Sequence, residues 1–367
     1  MTDRKALHSS SPSRATINLS SCQHNLLVAK QAAPNSKCIA IIKSNAYGHG
    51  MLKVAKALTD ADAFGVAHLA EAIALREAGI TQPILLLEGF IDTSEFSLVK
   101  EYKLDSVIHT EEQVRLLEES SGANITVFIK VDSGMHRLGF NPNEVADVVG
   151  RLDKCGCINH TLNFMTHFAN ADDRHDAKTI EQIETFYKTI EEFSENKMSM
   201  ANSAAILGWP QSHATWNRPG IMLYGVSPFI NSHADDHELK PVMTLSSRLI
   251  SIKKLKAGDA IGYGGTYVCE KDKTIGVVAI GYGDGYPRHA KTGTPVLVNG
   301  KRCSLLGRVS MDMICVDLSD HTEAKNNDPV VLWGEGLAVE EVAEYADTIA
   351  YELLCGVTKR VSFTYVD

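Results

Sequence analysis

Short apolar runs alternate with longer amphipathic, charged segments through the first two-thirds of the chain. Strands that alternate with helices form a parallel sheet, and its strands read as short apolar runs because both faces are buried. The apolar runs are residues 38–42, 63–67, 83–87, 105–108, 125–131, 162–166, 198–202 and 214–217. Eight such units over about 200 residues predict an α/β fold of the (β/α)8 TIM-barrel type. A doubly wound sheet is the alternative, because it needs only about six strands and the fourth and eighth runs are the least apolar.

The segments between these runs have the apolar spacing of amphipathic helices. The predicted helices are residues 51–58, 70–78, 93–102, 111–119, 143–152, 179–193 and 204–208. One further helix is predicted late in the chain, at residues 339–354.

The pattern changes near residue 240, and from residue 245 to residue 332 the chain is rich in β-forming residues and glycine. Residues 295–298 and 301–305 flank Asn299-Gly300, a pair that suits a type I′ turn and predicts a hairpin. We therefore predict a disordered tail at residues 1–13, a barrel at 14–240 and a mainly β domain at 241–367. Residues 14–20 include a lone alternating strand, which is a candidate to pair with the second domain.

Composition excludes several classes of function. The net charge of −9 argues against nucleic-acid binding, because Lys and Arg side chains are needed to neutralise the phosphate backbone. No window approaches the roughly 20 apolar residues of a membrane helix, and the polar start lacks the apolar core of a signal peptide.

The eight cysteines lie mostly in apolar runs and are expected to be reduced, as in a cytoplasmic protein. His233 and His237 lie in a polar linker-like segment, so no metal site is predicted.

Polar residues directly follow the predicted barrel strands, where the active sites of such barrels are built. They are Lys43, His68, Glu88, His109, the segment 130–132, His167, Asn202 with Ser203, and Arg218. A lone Lys or His in such a place is more often a surface or structural residue than a catalyst. The hypothesis of a site therefore depends on many of them meeting at one rim.

Lys43 ends the apolar run 39–42, and partial burial favours its neutral, nucleophilic amine. Such an amine can form a Schiff base with an aldehyde. Ser203 follows the seventh strand, and Gly220 and Ile221 follow the eighth, the place where barrels commonly bind phosphate. A Schiff-base lysine with a phosphate cradle is the outline of a pyridoxal 5′-phosphate (PLP) site.

Eight segments of the chain closely resemble blocks of the alanine racemase family, in the order of that family. They are residues 40–50, 130–140, 166–169, 202–205, 218–221, 262–267, 281–286 and 307–312. The resemblance extends from about Arg14 to the C-terminus. It implies a PLP-bearing (β/α)8 barrel followed by a β domain, which agrees with the fold predicted from the patterns.

The resemblance implies a role for each candidate residue. Lys43 holds PLP and moves a proton on one face of the substrate, and Tyr263 is the base on the other face. In the family this tyrosine reaches the barrel mouth of the partner subunit, so the implied assembly is a homodimer with shared active sites. The implied cofactor contacts are Tyr47, His167, Asn202, Ser203, Arg218, Gly220, Ile221 and Tyr351.

Within that set, Arg218 faces the pyridine nitrogen, and His167 lies beside it and beside the catalytic tyrosine. Arg137 and the backbone N–H of Met311 are implied to hold the substrate carboxylate. Tyr282 and Tyr351 are implied to narrow the entrance so that a methyl side chain is favoured. Supporting roles fall to Asp312, next to Met311, and to Lys130, which carries an N-carboxy group in some relatives.

The chain departs from many relatives at two positions, with Ser310 in place of Cys and Ser133 in place of Thr. The expected activity is interconversion of L- and D-alanine, either to supply D-alanine for peptidoglycan or to degrade alanine. A racemase acting on serine or on a broad range of amino acids is the nearest alternative. A decarboxylase of similar build and a PLP carrier without activity are further alternatives, but neither explains the 262–267 block in a long β domain.

Overall fold

A computed structural model describes residues 11–122, 124–159 and 162–367. The chain divides into two compact units. The barrel unit consists of Cys22–Leu223 with Ser227–Leu239. The β unit consists of the chain up to Ser21, Tyr224–Val226 and Lys240–Asp367.

The barrel unit contains a closed barrel of eight parallel strands, so the predicted (β/α)8 architecture is confirmed and the doubly wound alternative is wrong. The strands are β2 (Lys37–Ile41), β3 (Ala63–Val66), β4 (Ile84–Leu86), β5 (Asp105–Ile108), β6 (Val127–Lys130), β7 (Asn163–Met165), β8 (Lys197–Ser199) and β9 (Trp216–Asn217). Each strand pairs in parallel with the next, and β9 closes the ring by pairing with β2. The C-terminal ends of all eight strands therefore lie at one rim.

The helices of this unit alternate with its strands along the chain, and the first helix precedes β2. They are α1 (Leu19–Ala32), α2 (Met51–Ala57), α3 (Leu69–Glu77), α4 (Thr93–Glu101), α5 (Glu111–Glu118), α6 (Val145–Leu152), α7 (Lys178–Thr189) and α8 (Ser203–Gly208). Helix α1 was not predicted. Asn18 accepts a hydrogen bond from the N–H of Ser21 (2.9 Å), and this cap starts the helix at Leu19 inside the predicted strand segment 14–20.

The β unit is built around one eight-stranded sheet. Its strands are β1 (Arg14–Asn18), β10 (Met243–Leu255), β13 (Lys273–Val278), β14 (Pro295–Val298), β15 (Lys301–Leu306), β16 (Ile314–Asp317), β17 (Pro329–Trp333) and β18 (Ser362–Val366). They lie in the order β13-β16-β15-β14-β17-β10-β1-β18, and β10 also pairs with β13, which joins six of the strands into a ring. The short strands β11 (Ala260–Ile261) and β12 (Tyr267–Val268) form a separate pair.

Strand β1 pairs antiparallel with β10 and parallel with β18, so the first described strand is part of the β unit. The tail predicted for residues 1–13 lies outside the described residues as far as residue 10. Ser13 itself is buried, and its hydroxyl donates to the carbonyl of Ala279.

Two further predictions concern local structure in the β unit. The predicted hairpin is confirmed: β14 and β15 pair, and Asn299 (φ 49°) and Gly300 (φ 74°) both adopt the positive φ of a type I′ turn. The single helix predicted at 339–354 is wrong. It is two helices, α9 (Val339–Tyr345) and α10 (Ala350–Gly356), because Asp347 between them has φ 53° and interrupts the helical hydrogen bonds.

Among the described residues, no helix combines the length and the hydrophobicity that crossing a membrane requires.

Candidate active site

Lys43 begins an unusual turn directly after β2. The four residues that follow it, Ser44, Asn45, Ala46 and Tyr47, have φ values of 53°, 53°, 54° and 50°. We call residues 44–47 the lysine turn. A left-handed conformation costs an L-residue about 1–2 kcal/mol, so four in a row persist only where the surroundings hold them. Such strain is typical of functional sites.

The far end of the lysine turn places Tyr47 against the segment that follows β9. A Cβ built on Gly220 would lie 2.9 Å from the Tyr47 hydroxyl oxygen, so a side chain there would have to displace the buried phenol. The Ser203 hydroxyl accepts hydrogen bonds from the N–H of Gly220 (2.8 Å) and of Met222 (3.3 Å). We call Tyr47, Ser203, Gly220 and Ile221 the polar cradle. Hydroxyls and N–H groups gathered in this way suit a phosphate.

Asn202 lies beside the cradle as the N-cap of α8. Its side-chain oxygen accepts from the N–H of Ala205 at 3.0 Å. This bond keeps Ser203 in the first turn of the helix and leaves its hydroxyl to the cradle. The structure therefore gives Asn202 a structural role next to the place where the resemblance implies cofactor contact.

Arg218 is buried at the end of β9, and the barrel fixes its guanidinium from three directions. It donates to the Ser199 hydroxyl (2.6 Å) and to the carbonyls of Thr166 (2.6 Å) and Met200 (3.1 Å). Burial lowers the pKa of Arg218 to about 10, which still leaves it charged at neutral pH. An arginine held in this way can only donate hydrogen bonds.

His167 receives one of these donors, because an Arg218 nitrogen lies 3.2 Å from its Nδ1. Since arginine cannot accept a hydrogen bond, Nδ1 is the acceptor and carries no proton. Burial, and then the charges of Arg218, Lys130, Arg137 and Lys43, lower the pKa of His167 well below 6.5. The imidazole is therefore neutral, and its Nε2–H is available as a donor.

Lys130 ends β6 and is also buried. Burial, and then the charges of Arg218, Arg137 and Lys43, lower its pKa to about 7. The carboxylate of Asp132 opposes them, but it also accepts from the N–H groups of Gly134 (3.1 Å) and His136 (2.9 Å). We call Lys43, Lys130, Arg137 and Arg218 the cation cluster. One carboxylate does not balance them, so the site favours bound anions.

Arg137 is the exposed member of the cation cluster. It lies in the loop after β6, where Gly134 (φ 138°) and Gly139 (φ 125°) adopt backbone conformations that favour glycine. With Lys130, Asp132 and His167 it lines a pocket at the barrel rim. Its fork of N–H donors is therefore placed where a small carboxylate could bind.

These residues fit PLP. The cofactor is an anion that carries a phosphate, an aldehyde and a pyridine ring nitrogen. The polar cradle could hold the phosphate, Lys43 has the amine that an aldehyde would need, and Arg218 could donate to the ring nitrogen. Among the described residues, no group of three His, Cys, Asp or Glu side chains could hold a metal ion.

The β unit contains the other predicted site residues. Tyr263 is 71% exposed in a short turn, and its neighbours Gly262 (φ 70°) and Gly264 (φ 73°) have positive φ. Tyr282 and Tyr351 are 40% and 38% exposed. Large aromatic side chains are usually more buried than this, so part of each of the three side chains lies at the surface of the β unit.

Met311 and Asp312 are held by the segment that carries Tyr282. The N–H of Tyr282 donates to the Ser310 carbonyl (3.1 Å), and the N–H of Gly283 donates to the Met311 carbonyl (2.8 Å). These bonds involve main chain, so the departure at Ser310 does not disturb them. Asp312 accepts from Arg360 at 2.6 Å, so the predicted supporting residue pairs with an arginine that the sequence reasoning missed.

Two more residues that contact the site were not predicted. Gln182 is buried on α7 and links the backbone of His167 (3.0 Å) to that of Ala169 (2.9 Å). A glutamine on the apolar face of a predicted amphipathic helix is a signal that could have indicated it. Glu71 contacts the lysine turn, and its only sequence signal is its position three residues after the start of a helix.

Comparison with known proteins gives consistent results over the whole length. Residues 17–228 match the family described as alanine racemase, N-terminal domain, and residues 242–365 match alanine racemase, C-terminal domain. The biosynthetic alanine racemase of Escherichia coli K12 is 49% identical over 353 residues, which is 96% of this chain and 98% of that protein.

Solved structures agree. The crystal structure of biosynthetic alanine racemase from Pseudomonas aeruginosa is 46% identical, with a TM-score of 0.95 over 97% of this chain and 100% of that one. Alanine racemase from Acinetobacter baumannii is 39% identical, with a TM-score of 0.92 over 96% and 99% of the two chains. The chain therefore belongs to the alanine racemase family.

Proposed function

We propose that this protein interconverts L-alanine and D-alanine, with PLP bound covalently to Lys43 and with active sites shared across a homodimer. The observation that carries the proposal is the convergence of Lys43, three other cationic side chains and the polar cradle at one end of the barrel. The relatives named alanine racemase support the choice of substrate.

PLP, when bound, supplies an electron sink that makes the Cα proton of an attached amino acid removable. Arg218 determines how strong that sink is. Because Arg218 can only donate, a ring nitrogen held by it would stay unprotonated, and the sink would be moderate. We expect this to favour return of the proton to Cα, as racemisation requires, over transfer to another atom.

Racemisation needs one group to remove the Cα proton and another to deliver a proton to the opposite face. We assign Lys43 Nζ to one face and the phenol oxygen of Tyr263, from the partner subunit, to the other. The exposure of Tyr263 supports this assignment, since a base that serves another subunit must project from its own. A tyrosine of ordinary pKa, about 10, is a poor base at neutral pH.

His167 is the residue we expect to assist Tyr263. Its Nδ1 accepts from Arg218, so only its Nε2–H can donate, and a donor stabilises the phenolate over the phenol. The chain Arg218, His167, Tyr263 would then stabilise the phenolate through a neutral imidazole.

Substrate recognition is assigned to the charged rim of the pocket. Arg137 holds the carboxylate, and the N–H of Met311 adds a second donor. Tyr282 and Tyr351 limit the side chain to about a methyl group. Lys130 is expected to orient Arg137 as an N-carboxy lysine, because an amine with a pKa near 7 is partly neutral and can react with CO2. Asp312, paired with Arg360, supports the Met311 segment.

We also propose a cytoplasmic, biosynthetic role that supplies D-alanine for peptidoglycan. In the part of the chain that the structure describes, all eight cysteines are thiols rather than disulfides, as expected in a reducing compartment. The relatives from E. coli and P. aeruginosa are named biosynthetic.

The test is to incubate the purified protein with L-alanine and PLP and to measure D-alanine by chiral chromatography. Lys43→Ala should remove the activity, and Lys188→Ala, which changes an exposed lysine on α7, should leave it unchanged. Borohydride reduction followed by peptide mapping should attach the cofactor to Lys43. Absence of D-alanine, or attachment to another lysine, would refute the proposal. A faster reaction with serine would favour the broad-specificity alternative.

A further inference from the structure

We propose that Glu71 is a positioning residue, which holds the lysine turn so that Lys43 and Tyr47 keep the spacing that PLP requires. Glu71 lies on α3, after the neighbouring strand β3, and is itself no part of the cradle or the cation cluster. The inference rests on the proposed function, because it concerns how the chain binds the cofactor of that function.

The Glu71 carboxylate accepts three backbone hydrogen bonds. One oxygen accepts from the N–H of Ser44 at 2.7 Å. The other accepts from the N–H groups of Ala67 (3.0 Å) and His68 (3.2 Å). The partners are all donors, so a carboxylate, which only accepts, is the group that satisfies them all. The bond to Ser44 joins the end of β2 to the start of α3.

Helix capping explains only part of this arrangement. A glutamate three residues into a helix commonly accepts from the N–H groups just before that helix. Glu95 does this at the start of α4, where it accepts from Ile91 at 2.8 Å. Glu71 does the same through Ala67 and His68. The bond to Ser44, 27 residues away, goes beyond capping.

The lysine turn needs such an anchor because all four of its residues have positive φ. Its far end is held by His49, whose Nδ1 lies 3.0 Å from the Ala46 carbonyl and 2.9 Å from the Tyr47 carbonyl. Both partners are acceptors, so His49 donates. Glu71 holds the near end, at the residue next to Lys43. Without it, the turn is free to relax towards negative φ, which would move the Lys43 amine relative to the Tyr47 hydroxyl.

The experiment compares Glu71→Gln with its matched control, Glu95→Gln. The side-chain oxygen of the introduced glutamine can still accept from the N–H groups at the start of the helix. Its NH2 group then faces the N–H of Ser44, and because both groups are donors, no hydrogen bond forms between them. We expect Glu71→Gln to bind PLP about tenfold more weakly, the loss typical of one hydrogen bond to a charged group. Glu95→Gln should bind PLP as the wild type does. Affinity is measured by titrating PLP into apoprotein and following the absorbance of the cofactor.

Two further readouts separate positioning from a general loss of stability. Amide hydrogen exchange in the peptide 43–50 should be faster in Glu71→Gln, while exchange in the rest of the barrel is unchanged. The KM for alanine at saturating PLP should stay within about twofold, because Arg137 and Met311 are untouched. Adding Ser44→Gly, which removes the steric cost of positive φ, should restore PLP affinity in the Glu71→Gln background.

The outcomes distinguish this inference from the proposed function. If wild-type protein does not bind PLP at Lys43, the proposed function fails. If the wild type binds PLP and Glu71→Gln binds it equally well, Glu71 is a helix cap only and this inference is overturned. If Glu71→Gln does not fold, the double variant with Ser44→Gly is tested instead. PLP binding within about threefold of wild type then supports the inference, and no recovery overturns it.

Discussion

Replacing Lys130 with methionine tests the charge balance of the candidate site. Burial and three neighbouring cations lower the pKa of Lys130 from 10.5 to about 7 in the folded apoprotein. The unfolded chain keeps the ordinary lysine value. The pKa of Lys130 is lower in the folded state than in the unfolded chain, so a protonated Lys130 destabilises the folded state. This cost has its full size below about pH 7. It shrinks as the pH rises from 7 towards 10.5 and then vanishes.

The expected magnitude follows from the size of the shift. One pKa unit corresponds to about 1.36 kcal/mol, so the full cost below pH 7 is about 4–5 kcal/mol. At about pH 9 the folded lysine is neutral while the unfolded one is still mostly charged, and about 2 kcal/mol remains. Lys130 should therefore make the wild-type apoprotein about 2–3 kcal/mol more stable at pH 9 than at pH 6. Methionine has a similar length and no charge, so Lys130→Met should remove this contribution.

The assay is urea unfolding of the barrel unit in the apoprotein, at one protein concentration and in CO2-free buffer at several pH values. The quantity compared is the free energy of unfolding of Lys130→Met minus that of the wild type. This difference should be positive at pH 6 and should decrease towards pH 9. Lys188→Met changes an exposed lysine on α7 and is the control, for which the difference in free energy of unfolding should not vary with pH. A difference that does not vary with pH would refute the reasoning.

Three other predictions follow from the site. Gly220→Ala places a Cβ 2.9 Å from the Tyr47 hydroxyl and should weaken PLP binding about tenfold, a loss that cofactor titration would measure. Tyr263→Phe should slow racemisation in both directions by about 10²–10⁴-fold. Solvent deuterium should still enter one enantiomer of alanine through Lys43, and equal loss of exchange into both would count against the assignment. In bicarbonate, the Lys130 amine should take up one CO2 and release one proton, and intact mass spectrometry should show the added mass of one CO2. Lys130→Met should abolish this increase.

Most of the fold could be predicted because barrel strands and their helices have different periodicities. All eight strands were found within a few residues of the predicted segments, including the short β9. Helix α1 was missed because its start depends on Asn18, a capping signal that follows an alternating strand without a break. The split between α9 and α10 was missed because Asp347 takes a left-handed conformation that its residue type permits but does not require.

The site was predictable where a residue follows a strand, and not where it acts from another element. Lys43, Lys130 and Arg218 each end or follow a strand, so the barrel topology alone brings them to one rim. Gln182 and Glu71 act on the site through backbone groups of distant segments. Such contacts depend on how helices pack around the barrel, and the spacing of residues along the sequence does not indicate that packing.

The cation cluster and the lysine turn have the same physical origin. Both are unfavourable in the empty protein: like charges are crowded at Lys130, and positive φ values are imposed on residues 44–47. If PLP binds as proposed, its negative charge would neutralise the cluster, and its phosphate in the polar cradle would add contacts that hold the lysine turn. The folded protein already holds the geometry that the cofactor needs, so little binding energy is lost to reorganising the site. This is the general meaning of a preorganised site. It follows that PLP should raise the thermal stability of the barrel unit, and that this gain should grow with the logarithm of PLP concentration above the Kd. Glu71→Gln should reduce that gain, whereas Glu95→Gln should not.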